Sequence, residues 1–332
     1  MTDIHETITP TVQAIYDHYV TSAPQKNLRN HLGASRIGNA CQREIWYEFR
    51  HVYYPEVVKD GRMLRLFETG NLEEDRIIQN LRDIGITVNA KDDSGRQFSY
   101  QEPDNKFFSG SVDGFGIGFL EDEIHDKWVV IEYKTMNTAT FKLLRNKGVK
   151  IVKPEHYDQM QTYMRWSKLD YAFYAVKCKE TDDLYGEIIK LDPEYSLVLR
   201  ELAHGIVTSA EPPAPIGSTP DYYKCRHCDA KPFCHGYGVP LINCRTCALS
   251  SPNLITGKFD CDVYHTECPE LTECDCPRHV LLPALIKAPV NDADEKEHTI
   301  SYMVAGKKVI NGYNHTKTAE MLEMYRKWME IR

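Results

Sequence analysis

The chain has 332 residues, 42% apolar and 11% aromatic, with 40 Lys and Arg against 48 Asp and Glu and a net charge of −8. That composition excludes a disordered chain and argues against a general nucleic-acid coat, which is usually basic, while leaving room for an enzyme with a local basic channel. No apolar run reaches the roughly 18 residues of a membrane span and the start Met1-Thr2-Asp3-Ile4-His5-Glu6 has no secretory pattern, so no membrane role and a cytoplasmic location are expected.

Thr9-Pro10 is a helix start, and Val12, Ile15, Tyr16, Tyr19 and Val20 continue it at helical spacing. Residues 35–82 read as helical, with Pro55 as an interruption and Leu64, Phe67, Leu72, Ile77, Ile78 and Leu81 marking a helix through the seventies. Gly85 suits its C-terminal turn, and a short strand is expected from Ile86 to Val88. The period then changes. Phe107–Ile117 and Lys127–Lys134 are β-rich runs around the polar turn Glu121-Asp122-Glu123, which predicts a hairpin. A helix is expected over Glu155–Ser167 and a strand pair over Tyr171–Lys177 and Gly186–Leu191. The four prolines of residues 209–222 mark a connector. Asn291–Glu297 reads as an acidic link, followed by a strand pair within Ile300–Ile310. A last helix carries Met321, Leu322, Tyr325, Trp328 and Met329. These divisions give segments 1–238, 239–290 and 291–332.

Asp113 is followed nineteen positions later by Glu132-Tyr133-Lys134. Strand alternation puts Glu132 and Lys134 on one face, roughly 7 Å apart, and the hairpin brings Asp113 beside Glu132. Val129-Val130-Ile131 leads into Glu132, so the charges end an apolar strand. Two carboxylates with a backbone carbonyl suit Mg²⁺ or Mn²⁺, and a neighbouring lysine can orient water or counter transition-state charge. The reaction this fits is phosphodiester hydrolysis. Glu74, with Glu73 close behind, is a further carboxylate from the preceding helix. Gln159 and Tyr163 share a helix face and can hydrogen-bond a DNA strand. Residues 141–154 carry Lys142, Arg145, Lys147, Lys150 and Lys153 and no acid, a stretch of the kind that tracks phosphates. Ser35, Arg36 and Arg43 add groups that could grip a phosphate.

Nine of the eleven cysteines fall between Cys225 and Cys276, a density that reads as metal ligation in a reducing compartment. Cys225, Cys228 and Cys234 need a fourth ligand, and Cys41 is the natural one. Such a set holds a [4Fe–4S] cluster or a zinc ion. Cys178 is expected to be a buried core thiol. In the second group Cys244, Cys247, Cys261 and Cys276 are assigned to a structural zinc ion, with His265 as the substitute; Cys268 and Cys274 leave more donors than one ion needs.

Asp113 with Glu132-x-Lys134, a preceding helical glutamate and Gln159-x3-Tyr163 together resemble the PD-(D/E)xK nucleases, in particular the RecB-like exonuclease branch. Cys41 with Cys225, Cys228 and Cys234 is similar to the iron–sulfur subset of that branch. The resemblance covers roughly residues 35–236. It implies an α/β fold, a central mixed sheet flanked by helices with a restriction-endonuclease-like core, followed here by the cysteine-rich metal-binding segment. It also implies a divalent metal at Asp113 and Glu132, DNA as substrate and a structural cluster. Many members carry a histidine in the helix before the hairpin; this chain has Gly70-Asn71-Leu72-Glu73-Glu74, a Gly-x3-Glu spacing similar to phage-type exonucleases. The expectation is a metal-dependent DNA exonuclease of phage or bacterial recombination or DNA processing, acting in the host cytoplasm if phage-encoded. A recombinase, single-strand-annealing protein or helicase is the expected partner class. The alternative is a non-catalytic DNA-binding or assembly module that keeps the fold for its shape.

Overall fold

The computed structural model describes residues 8–23, 28–54, 60–270 and 273–330. In chain order, α1 (Pro10–Ser22), β1 (Leu32–Gly33), α2 (Ala34–Ile37), α3 (Gln42–Phe49), α4 (Gly61–Asp83), β2 (Thr87–Asn89), β3 (Phe98–Glu102), β4 (Asn105–Val112), β5 (Gly114–Ile117) and β6 (Val129–Met136) come first. Then follow α5 (Thr138–Lys147), α6 (Val149–Val152), α7 (Pro154–Ser167), β7 (Tyr171–Cys178), β8 (Leu184–Lys190) and α8 (Pro193–Thr208). The last third holds α9 (Lys231–Cys234), β9 (Ser250–Asn253), β10 (Lys258–Cys261), β11 (Thr266–Glu267), β12 (Val290–Asp294), β13 (Thr299–Val304), β14 (Lys307–Asn311) and α10 (Thr318–Glu330). Pro55, expected to interrupt the early helices, lies outside the described residues.

The central five-stranded sheet has the order β2-β5-β6-β7-β8. Its β6–β7 pair is parallel and the rest antiparallel, so the sheet is mixed. A parallel pair needs a crossover, which α5, α6 and α7 supply. β6 is the middle strand. Val129, Val130 and Ile131 are fully buried, each contributing about 1.5–3 kcal/mol. Alternation assigns its two faces: Val129, Ile131 and Tyr133 pack with Ile77 and Ile78 of α4, whereas Val130 packs with Met160 and Met164 of α7. Helices therefore cover both faces of an α/β sheet, as the sequence leads one to expect.

The helix through the seventies ends at Gly85, whose φ of +91° suits a residue without Cβ. The Gly85 N–H donates to the Arg82 carbonyl and the Ile86 N–H to the Leu81 carbonyl, a paired closure that turns the chain into β2.

Three expectations need correction. The run Phe107–Ile117 is two strands: β4 joins a separate sheet of order β1-β4-β3, while β5 forms the predicted hairpin with β6. β3 was not foreseen; it pairs with β4 across the Pro103-Asp104 turn. Asn291–Glu297 is no link, because residues to Asp294 form β12, an edge strand with every side chain exposed. An edge accepts charges that a central strand would reject. The 209–222 connector has no helix or strand, yet it is tied down. Trp46 and Arg50 donate to the Ser209 carbonyl and Arg43 to that of Pro213.

One hydrophobic cluster runs from Trp46, Phe49 and Phe107 to Phe259, Leu281, Tyr302 and Tyr325. At its centre Arg245 lies against the rings of Phe49, Phe107 and Phe259, 4.9 to 5.6 Å from their centroids. Its guanidinium donates to the carbonyls of Phe49 and Asn30 at 2.8 Å. Among the described residues no helix is long and apolar enough to cross a membrane.

Candidate active site

Asp113 is the residue at which the chain leaves one sheet for the other, between the end of β4 and the start of β5. Gly114 pairs with Ile131, which sets Asp113 next to Glu132. The Asp113 carboxylate accepts the Tyr133 N–H at 2.9 Å, and that bond fixes its direction. Lys134 donates to one oxygen of Glu132 and, at 3.0 Å, to the Tyr133 carbonyl; its ammonium lies 3.9 Å from Asp113.

Glu132 is fully buried on the α7 face of β6. Its Oε2 has no hydrogen-bond partner among the described residues. An ionised oxygen without a partner is costly in such surroundings. Burial and the Asp113 charge push the Glu132 carboxyl well above its usual range, against the pull of Lys134. Burial opposes the Lys134 ammonium, but the charges of Glu132 and Asp113 outweigh it and hold its pKa up. Glu74 is pushed up to about 7, first by burial and then by Asp113, which marks it as facing this centre. Its neighbour Glu73 instead pairs with Lys177 at 2.7 Å and Arg76 at 3.4 Å.

Gln159 and Tyr163 stand one turn apart on α7, and the Gln159 amide donates to the Tyr163 hydroxyl at 3.2 Å. Tyr163 reaches β4 because residue 110 is glycine. A Cβ there would come within 2.9 Å of the Tyr163 ring and hydroxyl. Beside them opens a cleft of about 610 Å³ that takes in Ser35. Arg36 is engaged elsewhere, paired with Glu48 at 2.6 Å. Arg43 is drawn to the cysteines, its guanidinium 3.8 Å from Cys234 Sγ. Lys142, Arg145 and Lys147 are exposed on α5, which begins directly after β6 with Asn137 capping Thr140. The cleft residues from β3 and β4 and from Arg29 to Ala34 were missed; Ser99, Gln101, Ser109 and Ser111 alternate in sequence, which was the available signal for the strands.

Cys41, Cys225, Cys228 and Cys234 line one small cavity. Burial pushes the Cys228 thiol up to about 12 and raises that of Cys225. In the second group, Cys247 of the expected set stands within electrostatic reach of Cys261 and Cys276. Cys244 lies beside Cys274 and Cys268, and their proximity raises the Cys244 thiol while Cys244 lowers that of Cys274. The Cys247 sulfur accepts the Leu249 N–H at 3.4 Å. His265 is exposed in the turn after β10, and Cys178 is buried on β7.

Among the described residues no three Cys, His, Asp or Glu side chains stand around a common point as metal ligands would. The case for a cation at the carboxylates is therefore one of donor chemistry. Asp113, Glu132 and Glu74 offer hard oxygen donors, one of them a buried oxygen with no partner. They fit a divalent cation. The four thiols around one cavity fit a soft metal or a cluster.

The fold and this centre define an α/β protein with a carboxylate–lysine constellation at a sheet junction. No family model matches the sequence, and no curated protein is similar to it. Among solved structures, the alkaline exonuclease LHK-Exo from Laribacter hongkongensis is similar at 16% identity and a TM-score of 0.36, over 57% of this chain and 90% of that one. Its complex with dAMP gives 15% identity and 0.36 over 58% and 90%. SSO0001 gives 15% and 0.38 over 68% and 96%. Likeness at this level carries no argument about chemistry, which rests on the residues themselves.

Proposed function

We propose that this chain is a Mg²⁺- or Mn²⁺-dependent deoxyribonuclease that hydrolyses phosphodiester bonds at DNA ends. The observation that carries the reading is the unpartnered, fully buried Glu132 oxygen beside Asp113, with Lys134 on the other oxygen. Asp113, Glu132 and Glu74 are the oxygen donors. They would hold a divalent cation, which would offset negative charge on a phosphate oxygen and lower the pKa of a bound water. Lys134 keeps its proton at Nζ beside both carboxylates, where it offsets negative charge that develops on the phosphate. The Tyr163 hydroxyl and the Gln159 amide hold the strand, and exposed Lys142, Arg145 and Lys147 attract its phosphates.

We assign a [4Fe–4S] cluster to Cys41, Cys225, Cys228 and Cys234, and a zinc ion to the second cysteine group. Its donors in this reading are Cys244, Cys247, Cys261 and Cys276, with His265 as the substitute, and Cys268 and Cys274 lie beside Cys244. Anaerobic protein is expected to show visible charge-transfer absorbance that Cys225→Ser abolishes; zinc in place of iron at this set would refute the cluster.

The test of the nuclease is digestion of end-labelled linear DNA and closed circular DNA, with wild type beside Lys134→Ala. Linear DNA alone should be degraded, and both chelator and the substitution should stop it. Equal activity in the two proteins would remove the assignment.

A further inference from the structure

The oxygens that surround the Lys134 ammonium are those a divalent cation needs. Nζ donates to Oε1 of Glu132 and, at 3.0 Å, to the Tyr133 carbonyl, and it lies 3.9 Å from Oδ2 of Asp113. That is one oxygen from each carboxylate and a backbone carbonyl, the hard donor set that suits Mg²⁺ or Mn²⁺. Glu132 Oε2 is left over, without a partner among the described residues. A single open oxygen does not hold a divalent ion, which takes about six donors. The others come free only when the ammonium moves.

Lys134 is the member of the group that can move. The Glu132 side chain is sealed, and Asp113 is held by the Tyr133 N–H at 2.9 Å. The Lys134 side chain is 27% exposed and ends a flexible four-carbon stem. It shares the α7 face of β6 with Glu132, two positions away, so an ammonium that swings off the carboxylates stays on that face. A divalent ion and an ammonium on the same oxygens repel each other strongly in such surroundings.

We propose that Lys134 is the resident cation of this centre in the absence of metal, so that its ammonium competes with the divalent ion for Asp113, Glu132 and the Tyr133 carbonyl. Lys134 thereby sets how much ion the centre requires and which ions it takes. A monovalent ion brings no more charge than the ammonium and gains nothing by replacing it. The displaced ammonium keeps its charge and turns to the phosphate. The inference rests on the nuclease reading for what the ion does, but its test does not involve DNA.

Mn²⁺ is titrated by calorimetry into the full chain in divalent-free buffer, for wild type, Lys134→Met and Lys134→Gln. Binding at this centre is the part that Asp113→Asn abolishes. Lys307→Met, at an exposed position of β14, controls for the loss of one positive charge elsewhere. Both Lys134 variants should bind Mn²⁺ at least about tenfold more tightly than wild type, and Lys307→Met within about twofold of it. Without ion both should melt below wild type, since the carboxylates lose their counter-charge, and saturating Mn²⁺ should raise their Tm by more than it raises that of wild type. Should Lys134→Met not fold, Lys134→Gln, which keeps an N–H donor, carries the comparison. Folded variants that bind Mn²⁺ no more tightly than wild type overturn the competition, and the nuclease reading stands if wild type still degrades DNA. No Mn²⁺ binding by any of the proteins overturns both.

Discussion

Lys134 stands between two carboxylates of unequal exposure, Glu132 at 0% and Asp113 at 16%. Because its ammonium is held by their charge, replacing it changes the chemistry of the centre more than the packing. Lys134→Ala should lower kcat about 10²–10⁴-fold, with KM for DNA nearly unchanged, in single-turnover assays. Gly110 presents the opposite case, a residue that matters for the room it leaves. Gly110→Ala pushes a methyl group into Tyr163 and should cost about 1–3 kcal/mol by urea denaturation, together with activity. A Gly110→Ala protein as stable and active as wild type would show that Tyr163 has another resting place.

At the scale of elements, the β3–β4 turn is clamped to the helices beneath it. Glu102, 3% exposed, accepts from Arg165 and from the Trp166 indole, while Arg200 lies 3.7 Å away. Burial alone would raise this carboxyl, but those hydrogen bonds outweigh it and its pKa is lowered. A lowered carboxylate stabilises the fold above its unfolded pKa of about 4.3 and loses that contribution as pH falls through the folded value. The Tm should therefore drop on acidification below roughly pH 4.3, and Glu102→Gln should flatten that part of the profile. At neutral pH the same variant should lose about 1–3 kcal/mol, because it leaves the half-buried Arg165 without its charge partner. This clamp was not legible in the sequence. Phe98-Ser-Tyr-Gln-Glu102 is short and half polar, and only its pairing with β4 makes it a strand. The split at Asp113 was hidden too, since the residues from Phe107 to Ile117 form one unbroken β-rich run. In contrast, the placement of Glu132 and Lys134 follows from alternation after Val129-Val130-Ile131, and the end of α4 follows from Gly85. Cysteine spacing shows that the thiols cluster but not which loops fold back together, so the spacing offers more donors than one ion needs without choosing among them.

Across the whole molecule, Arg245 joins the cysteine-rich segment to the core that carries the carboxylates. Arg245→Met should lower stability by about 2–4 kcal/mol in chemical denaturation, since the Phe49 and Asn30 carbonyls lose a donor and three rings lose their cation. The transition should stay single if the two parts still unfold together; a new early transition would show that the segment comes loose without Arg245, and unchanged stability would show that it holds on by other contacts.

The same arrangement governs the order in which the protein is made. Phe49 and Phe107 leave the ribosome long before Arg245 and Phe259, the residues that cover them. Until then the nascent chain carries an uncovered aromatic face, the kind of surface on which chaperones act. A messenger cut short after residue 238 would therefore yield not a smaller working protein but a sticky one, recovered from cells mainly in inclusion bodies.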